Sequence, residues 1–257
     1  MNRQIIKDEK TYNIKVDDVI KTVSLFKDIL YPEKELKPSC LKRKIRKFRF
    51  LLNSILKRID LNYTYITEKI ICKIPYLMEM LDKDILSIYK GDPAAKTKFE
   101  IICCYPGFFA VLCYRFAHEL YKMNVPIIPR IITEYCHSKT GIDIHPGAEI
   151  GECFCIDHGT GIVIGETTVI GNNVRIYHGV TLGTKGFKTD EEGFSVRNVK
   201  RHPNIGNNVI IYANATILGG DTFIGNNCII GTGSIVKESV KENSIIKKCP
   251  LEGTEEY

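Results

Sequence analysis

A six-residue rhythm of aliphatic side chains runs through the second half of this chain and restricts its fold more than any other feature. The apolar positions are Ile144, Ile150 and Ile156, then Ile164, Ile170, Ile176 and Leu182, and after a gap Ile205, Ile211, Leu218, Ile224, Ile230 and Val236. Glycine follows many of them, as in Ile150-Gly151, Ile164-Gly165, Ile205-Gly206 and Ile224-Gly225. This period is neither that of a helix nor that of a plain strand. It is that of a coil of short strands with a tight corner every six residues, the hexapeptide β-helix. Three hexads make one triangular turn of about eighteen residues, and stacked turns bury a column of aliphatics that no lone turn can bury.

The rhythm breaks twice. The step from Ile156 to Ile164 is eight residues, and the two extra ones fall within Asp157-His158-Gly159-Thr160-Gly161. A polar, glycine-rich bulge in a regular scaffold is where chemistry is mounted. The step from Leu182 to Ile205 is 23 residues, so residues 184–200 must leave the coil as a loop. Loops of that length in a compact scaffold are functional or disordered.

Before about residue 140 the rhythm is absent and helical spacing takes over. Helices are expected up to about Leu30, over a basic segment after Pro38, onward to Tyr89, as an apolar pair over residues 97–123 interrupted at Pro106-Gly107, and from Pro129 to Ser138. Gly91-Asp92-Pro93-Ala94-Ala95 reads as a helix start, with Asp92 as cap and Pro93 in the first turn. The expected class is therefore α+β: an α-helical domain over residues 1–140, a parallel β-helix of hexapeptide repeats over 141–240 with the extruded loop 184–200, and a tail over 241–257.

Eight of the basic residues lie in 42–58, KRKIRKFRFLLNSILKR, without one acidic residue; the net charge is +6, so the remainder of the chain stands near −2. Ile45, Phe48, Leu51, Leu52, Ile55 and Ile59 recur there at helical spacing, which favours an amphipathic helix packed on other helices over a nucleic-acid or membrane surface. No apolar run is long enough for a membrane span, and the polar start MNRQIIKDEK has no signal-peptide core, which points to the cytoplasm. The ten cysteines are scattered without a CxxC pair and read as reduced thiols.

Four histidines fall in the coil: His145, His158, His178 and His202. Asp143 precedes His158 by fifteen residues, close to one turn. It is a candidate to orient His158 and raise its basicity, so that the other ring nitrogen accepts a proton. The plainer alternative makes Asp143 a turn cap and His158 a polar filler.

The segments GDPAA, YPGFFAVLCYRFAHELY, GIDIHPGAEIG, IDHGTGIVIGETTVIGNNVRIYHGVTLG and KRHPNIGNNVIIYANATILGGDTFIGNN together resemble serine O-acetyltransferases, hexapeptide acyltransferases with a left-handed β-helix. The likeness covers residues 91 to about 236. It implies that the hydroxyl of L-serine attacks acetyl-CoA to give O-acetylserine and CoA, for cysteine biosynthesis. A neutral alcohol needs a base for this. His158 matches the family's catalytic histidine and Asp143 its carboxylate partner. Asp92 and Asp157 match the ammonium-binding carboxylates, and Arg201 and His202 the groups around the substrate carboxylate, where a planar guanidinium fork pairs well. CoA contacts are implied near Gly183, Ala213 and Thr232, with no metal. A homotrimer or hexamer with sites between subunits is implied, and L-cysteine is implied as feedback inhibitor.

The chain departs from the family at Ile246-Lys247-Lys248-Cys249-Pro250, where a Gly-x-Pro-Ala turn contacting CoA is common, and at its end, Glu255-Glu256-Tyr257, where an isoleucine would engage the O-acetylserine sulfhydrylase. The resemblance therefore leaves the sulfhydrylase open as a partner. Rival readings are another hydroxyl acceptor such as homoserine or a sugar, a zinc site of the carbonic-anhydrase-like kind using His158 and His178, a Cys153 or Cys155 nucleophile, and an inactive scaffold. Alternation places both cysteines inward, in the core.

Overall fold

The computed structural model describes residues 12–32, 37–59 and 62–247. The start MNRQIIKDEK, residues 248–250 of the expected closing turn and the end at Tyr257 lie outside them. Among the described residues six helices come first: α1 (Val16–Leu30), α2 (Pro38–Lys57), α3 (Tyr63–Gly91), α4 (Lys98–Cys104), α5 (Pro106–Lys122) and α6 (Ile128–Thr140). Phe26, Phe48 and Phe116 form their aromatic centre, the rings of Phe26 and Phe116 stacking at 4.5 Å. The basic helix α2 buries Phe48, Leu52, Ile55 and Leu56, and spends part of its charge on Lys44 to Asp28 and Arg49 to Glu68. Among the described residues no single helix is long and apolar enough to cross a membrane.

Gly141, in the left-handed conformation at φ 68°, ends α6 and turns the chain into the coil. Fourteen short strands follow: β1 (Asp143–Ile144), β2 (Glu149–Ile150), β3 (Cys155–Asp157), β4 (Val163–Ile164), β5 (Val169–Ile170), β6 (Arg175–Tyr177), β7 (Thr181–Gly183), β8 (Asn204–Ile205), β9 (Ile210–Ile211), β10 (Thr216–Leu218), β11 (Phe223–Ile224), β12 (Ile229–Ile230), β13 (Ile235–Val236) and β14 (Ile245–Ile246). They make three parallel faces: β1-β4-β7-β10-β13, then β2-β5-β8-β11, then β3-β6-β9-β12-β14. Asn173, Asn208, Asn227 and Asn243 hold left-handed corners and pass side-chain hydrogen bonds of 2.9–3.0 Å from turn to turn.

Three expectations change. The inward residue of β10 is Ile217, in register with Leu182, while Leu218 is half-buried; one extra residue therefore falls between Ile217 and Ile224. The tail does not begin at 241, because β14 pairs with β12 there. Asp92 does not start a helix: it caps the C-terminus of α3 and accepts from the Ala94 N–H at 2.8 Å, and Thr97 caps α4 by accepting from the Glu100 N–H.

The two halves are joined by a buried ion pair. Arg115 of α5 holds both oxygens of Asp84 in α3, at 2.6 and 2.9 Å, and donates to the Gly151 carbonyl at 2.8 Å. Asp84 also accepts from the Phe154 N–H at 2.8 Å. This fixes the run of α3 towards Asp92 against the first turn of the coil.

Candidate active site

In the first turn five residues lie between Asp157 and Val163, where three lie between Tyr177 and Thr181 in the next. The surplus is His158-Gly159, and both residues have positive φ, 58° and 101°. For His158, which has a side chain, this backbone is unusual and costs energy, a mark of functional sites. Its side chain stands 73% exposed, off the corner between the third and first faces. There the Nε2 of His158 lies 3.8 Å from the Asp157 carboxylate, and its ring meets that of His178 edge to face, centroids 5.6 Å apart.

Asp92 is brought to the same corner by α3. It accepts a 2.6 Å hydrogen bond from the Tyr105 hydroxyl, which holds its carboxyl below the ordinary range; Arg175 and His158 pull the same way. The same bond pushes the Tyr105 hydroxyl up to about 12. Arg175, beneath Cys155 on β6, brings its guanidinium to 3.9 Å from the Asp157 carboxylate. The backbone hydrogen bonds from Gly179 to Thr160, Asn214 to His178 and Gly233 to Ala213 set Thr160, His178, Ala213 and Thr232 one below another along this edge, beside the bulge that carries His158.

Asp143 does not join this group within the chain. The local turn is twenty residues, so Asp143 registers with Val163, while the His158 ring meets that of His178. Asp143 instead lies with Glu134 and His137, their ligand atoms within 4.8 Å of one another. No hydrogen bond or ion pair links Asp143 to His158 among the described residues.

Arg201 and His202 occupy a different edge, between the first and second faces, as does Gly183 at the end of β7. The Arg201 guanidinium is bonded to Glu166, which also accepts from the Tyr121 hydroxyl at 3.0 Å. Burial pushes the Glu166 carboxyl up, but these two bonds outweigh it and hold it low. His202 is buried, and burial first, then Arg201, pushes it down to about 4. Its Nδ1 accepts from the Thr167 N–H at 3.1 Å, which leaves the proton on Nε2. Thr167 Oγ1 in turn accepts from the N–H groups of Arg201 and His202 at 3.0 and 3.1 Å. The ring packs against Gly165, where a Cβ would come within 2.1 Å of it. His202 is thus a neutral group that sets the backbone of Arg201.

The loop 184–200 is a small hairpin. Asp190 accepts from the Glu192 and Phe194 N–H groups, Thr189 bridges Ser195, and Lys185 is tied to Asp221 at 2.9 Å. Its charge therefore serves the turn as well as solvation. Between the loop and Glu166-Arg201 lies a cavity of about 280 Å³, walled by Phe187, Phe194 and Val196.

No family model matches the chain. It is 49% identical over 178 residues to the plasmid serine acetyltransferase of Synechococcus elongatus, a match that covers 69% of this chain and 56% of that protein, little more than half its length. It is 45% identical over 173 residues to the serine acetyltransferase of Staphylococcus xylosus, covering 67% of this chain and 76% of the relative. The fold matches the crystal structure of Entamoeba histolytica serine acetyltransferase 1 in complex with L-cysteine, with TM-score 0.80, 33% identity, and 94% and 93% of the two chains covered. The chain belongs to the serine acetyltransferase family.

In this serine acetyltransferase fold, Cys155 is buried and its thiol is pushed up to about 12 by that burial, so it is no nucleophile. Cys153 does not point inward as alternation predicts: it occupies a left-handed corner at φ 57°, outside any strand, and is half-exposed. His145 accepts from the Gly147 N–H at 3.0 Å and is held near 4, mainly by burial. Sequence reasoning missed Tyr105, Arg175 and Thr167. Tyr105 carries no spacing signal, and Arg175 had one only in Gly91, the glycine against which its guanidinium packs.

Proposed function

We propose that the protein transfers the acetyl group of acetyl-CoA to the hydroxyl of L-serine, at a site pairing the His158 edge of one copy with the Arg201 edge of another. The observation that carries this reading is the two-residue bulge, which lifts an exposed imidazole out of a regular coil beside Asp157 and Asp92.

His158 removes the hydroxyl proton as the serine oxygen bonds to the thioester carbonyl carbon. The tetrahedral adduct then expels CoA, and the proton passes from His158 to the departing sulfur. Asp92 and Asp157 take the serine ammonium, and Arg201, released in part from Glu166, takes the carboxylate. The furrow past Ala213 and Thr232, with Gly183 from the neighbouring edge, holds CoA. Asp143 makes no contact with His158 within one chain among the described residues, so a role as partner of His158 falls to the Asp143 of a neighbouring copy. The 184–200 hairpin, ending at Arg201, closes over the reactants and keeps water from the thioester.

A contact between two unlike edges is heterologous and closes only as a ring. Edges of a triangular coil are turned by about 120°, so three copies close it. L-cysteine, which keeps both charges of serine, binds the same site and inhibits. The activity serves cysteine synthesis in the cytoplasm.

The test is thiol release from acetyl-CoA with L-serine, L-homoserine and sugar acceptors, in wild type and His158→Ala. Serine is the preferred acceptor, and the variant loses about 10²–10⁴-fold in kcat. Unchanged turnover in the variant removes His158 as base; preference for another acceptor removes serine as substrate.

A further inference from the structure

Arg175 lies beneath Cys155, two residues before the Asp157-His158 bulge, and takes no part in the acetyl-transfer steps. On β6 it registers with Cys155 of β3, and its side chain is only 15% exposed. Its Nη2 donates to the Ser87 carbonyl of α3 at 3.2 Å. Its Nη1 lies 3.9 Å from Asp157 Oδ2, beyond hydrogen-bond reach, and is buried without a hydrogen-bond partner among the described residues. Such an orphan in a guanidinium is costly and calls for an explanation.

Gly91 supplies the second observation. A Cβ there would sit 1.4 Å from Arg175 Nη2 and 2.2 Å from Cζ. The backbone of Gly91 is not in the left-handed region, so its glycine serves this close approach and not a turn. The guanidinium is therefore wedged between Asp157 on the coil and the Gly91-Asp92 end of α3.

We propose that Arg175 is a specificity-determining positioning residue of the amino-acid site: it fixes Asp92 against Asp157 and leaves the cluster with a single net negative charge, the complement of one ammonium. Two carboxylates alone would repel, and one would take up a proton. With Arg175 between them the repulsion is offset, and the substrate ammonium completes the charge balance. This inference rests on the serine reading above and adds the residue that selects the amino group. An arginine that merely staples α3 to the coil would affect folding and every acceptor alike.

The experiment compares wild type, Arg175→Gln, Arg175→Lys and Gly91→Ala with two acceptors, L-serine and 3-hydroxypropionate, which keeps the hydroxyl and carboxylate but lacks the ammonium. Arg175→Gln is expected to raise KM for serine about tenfold, with kcat and the KM for acetyl-CoA within about twofold. Its preference for serine over 3-hydroxypropionate falls by a similar factor. Arg175→Lys recovers part of the loss, and Gly91→Ala shifts serine KM in the same direction by displacing an intact arginine. If Arg175→Gln fails to fold, Gly91→Ala decides. An unchanged serine KM in the folded variants, or an equal loss for both acceptors, overturns the proposal while leaving serine acetylation standing. A wild type inert towards serine overturns both.

Discussion

His158 and Arg201 stand on different edges of the same coil, the first between the third and first faces, the second between the first and second. A site needing both is built from two copies. Mixing inactive His158→Ala with inactive Arg201→Ala subunits should therefore restore activity. In randomly mixed rings about a quarter of the sites draw an intact His158 from one copy and an intact Arg201 from the next. Co-refolded mixtures should approach that fraction of wild-type turnover. Mixtures as inactive as either parent would place both residues in one chain's site.

Thr167 is the hinge of the second edge, since its hydroxyl oxygen accepts two backbone N–H groups where the loop returns to the coil. Thr167→Val keeps the shape and leaves both donors unpaired. The expected cost is about 1–3 kcal/mol in denaturant unfolding. Because Arg201 loses its backbone anchor, KM for serine should rise more than kcat falls. A variant with wild-type stability and KM would show that the returning loop is held elsewhere.

The coil was legible because its period is a direct print of its geometry: each sixth residue points inward and each corner tolerates glycine or asparagine. His158 was legible for the same reason, as a surplus against that period. Its partner was not. Counting fifteen residues from Asp143 assumed a regular turn, but the bulge itself lengthens the turn to twenty and shifts the register. Cys153 failed likewise, because alternation holds in strands and it sits at a corner. Arg175 and Tyr105 reach the site through contacts between α3, α4 and the coil, far apart in sequence, and periodicity carries no information on those.

His145 and His202 are both held near 4, chiefly by burial, against an ordinary value of 6.5. The folded protein thus binds fewer protons than the unfolded chain between those values. Their contribution is complete above about pH 6.5 and is lost as the pH falls towards 4. Thermal midpoints should decline over that window. His202→Asn, which offers an acceptor in place of Nδ1 but does not titrate, should be less stable at pH 7.5 yet decline less steeply. A decline as steep as wild type would remove His202 from the acid transition.

Asp84 and Arg115 tie the helices to the coil, and eight residues beyond Asp84 the same helix end delivers Asp92 to the bulge. Asp84→Ala leaves a buried guanidinium unpaired and the Phe154 N–H without its acceptor. The expected loss is about 3–5 kcal/mol, roughly 10 °C in the thermal midpoint of a chain this size. Arg115→Met should cost a similar amount by stranding the carboxylate. Removing both charges in Asp84→Leu with Arg115→Met should cost less than the sum of the single changes, since neither buried charge remains. Serine KM should rise in the single variants, because the anchor that aims α3 is gone. Additive losses in the double variant would mean that the two residues stabilise the fold separately, and that the position of Asp92 does not depend on their pairing.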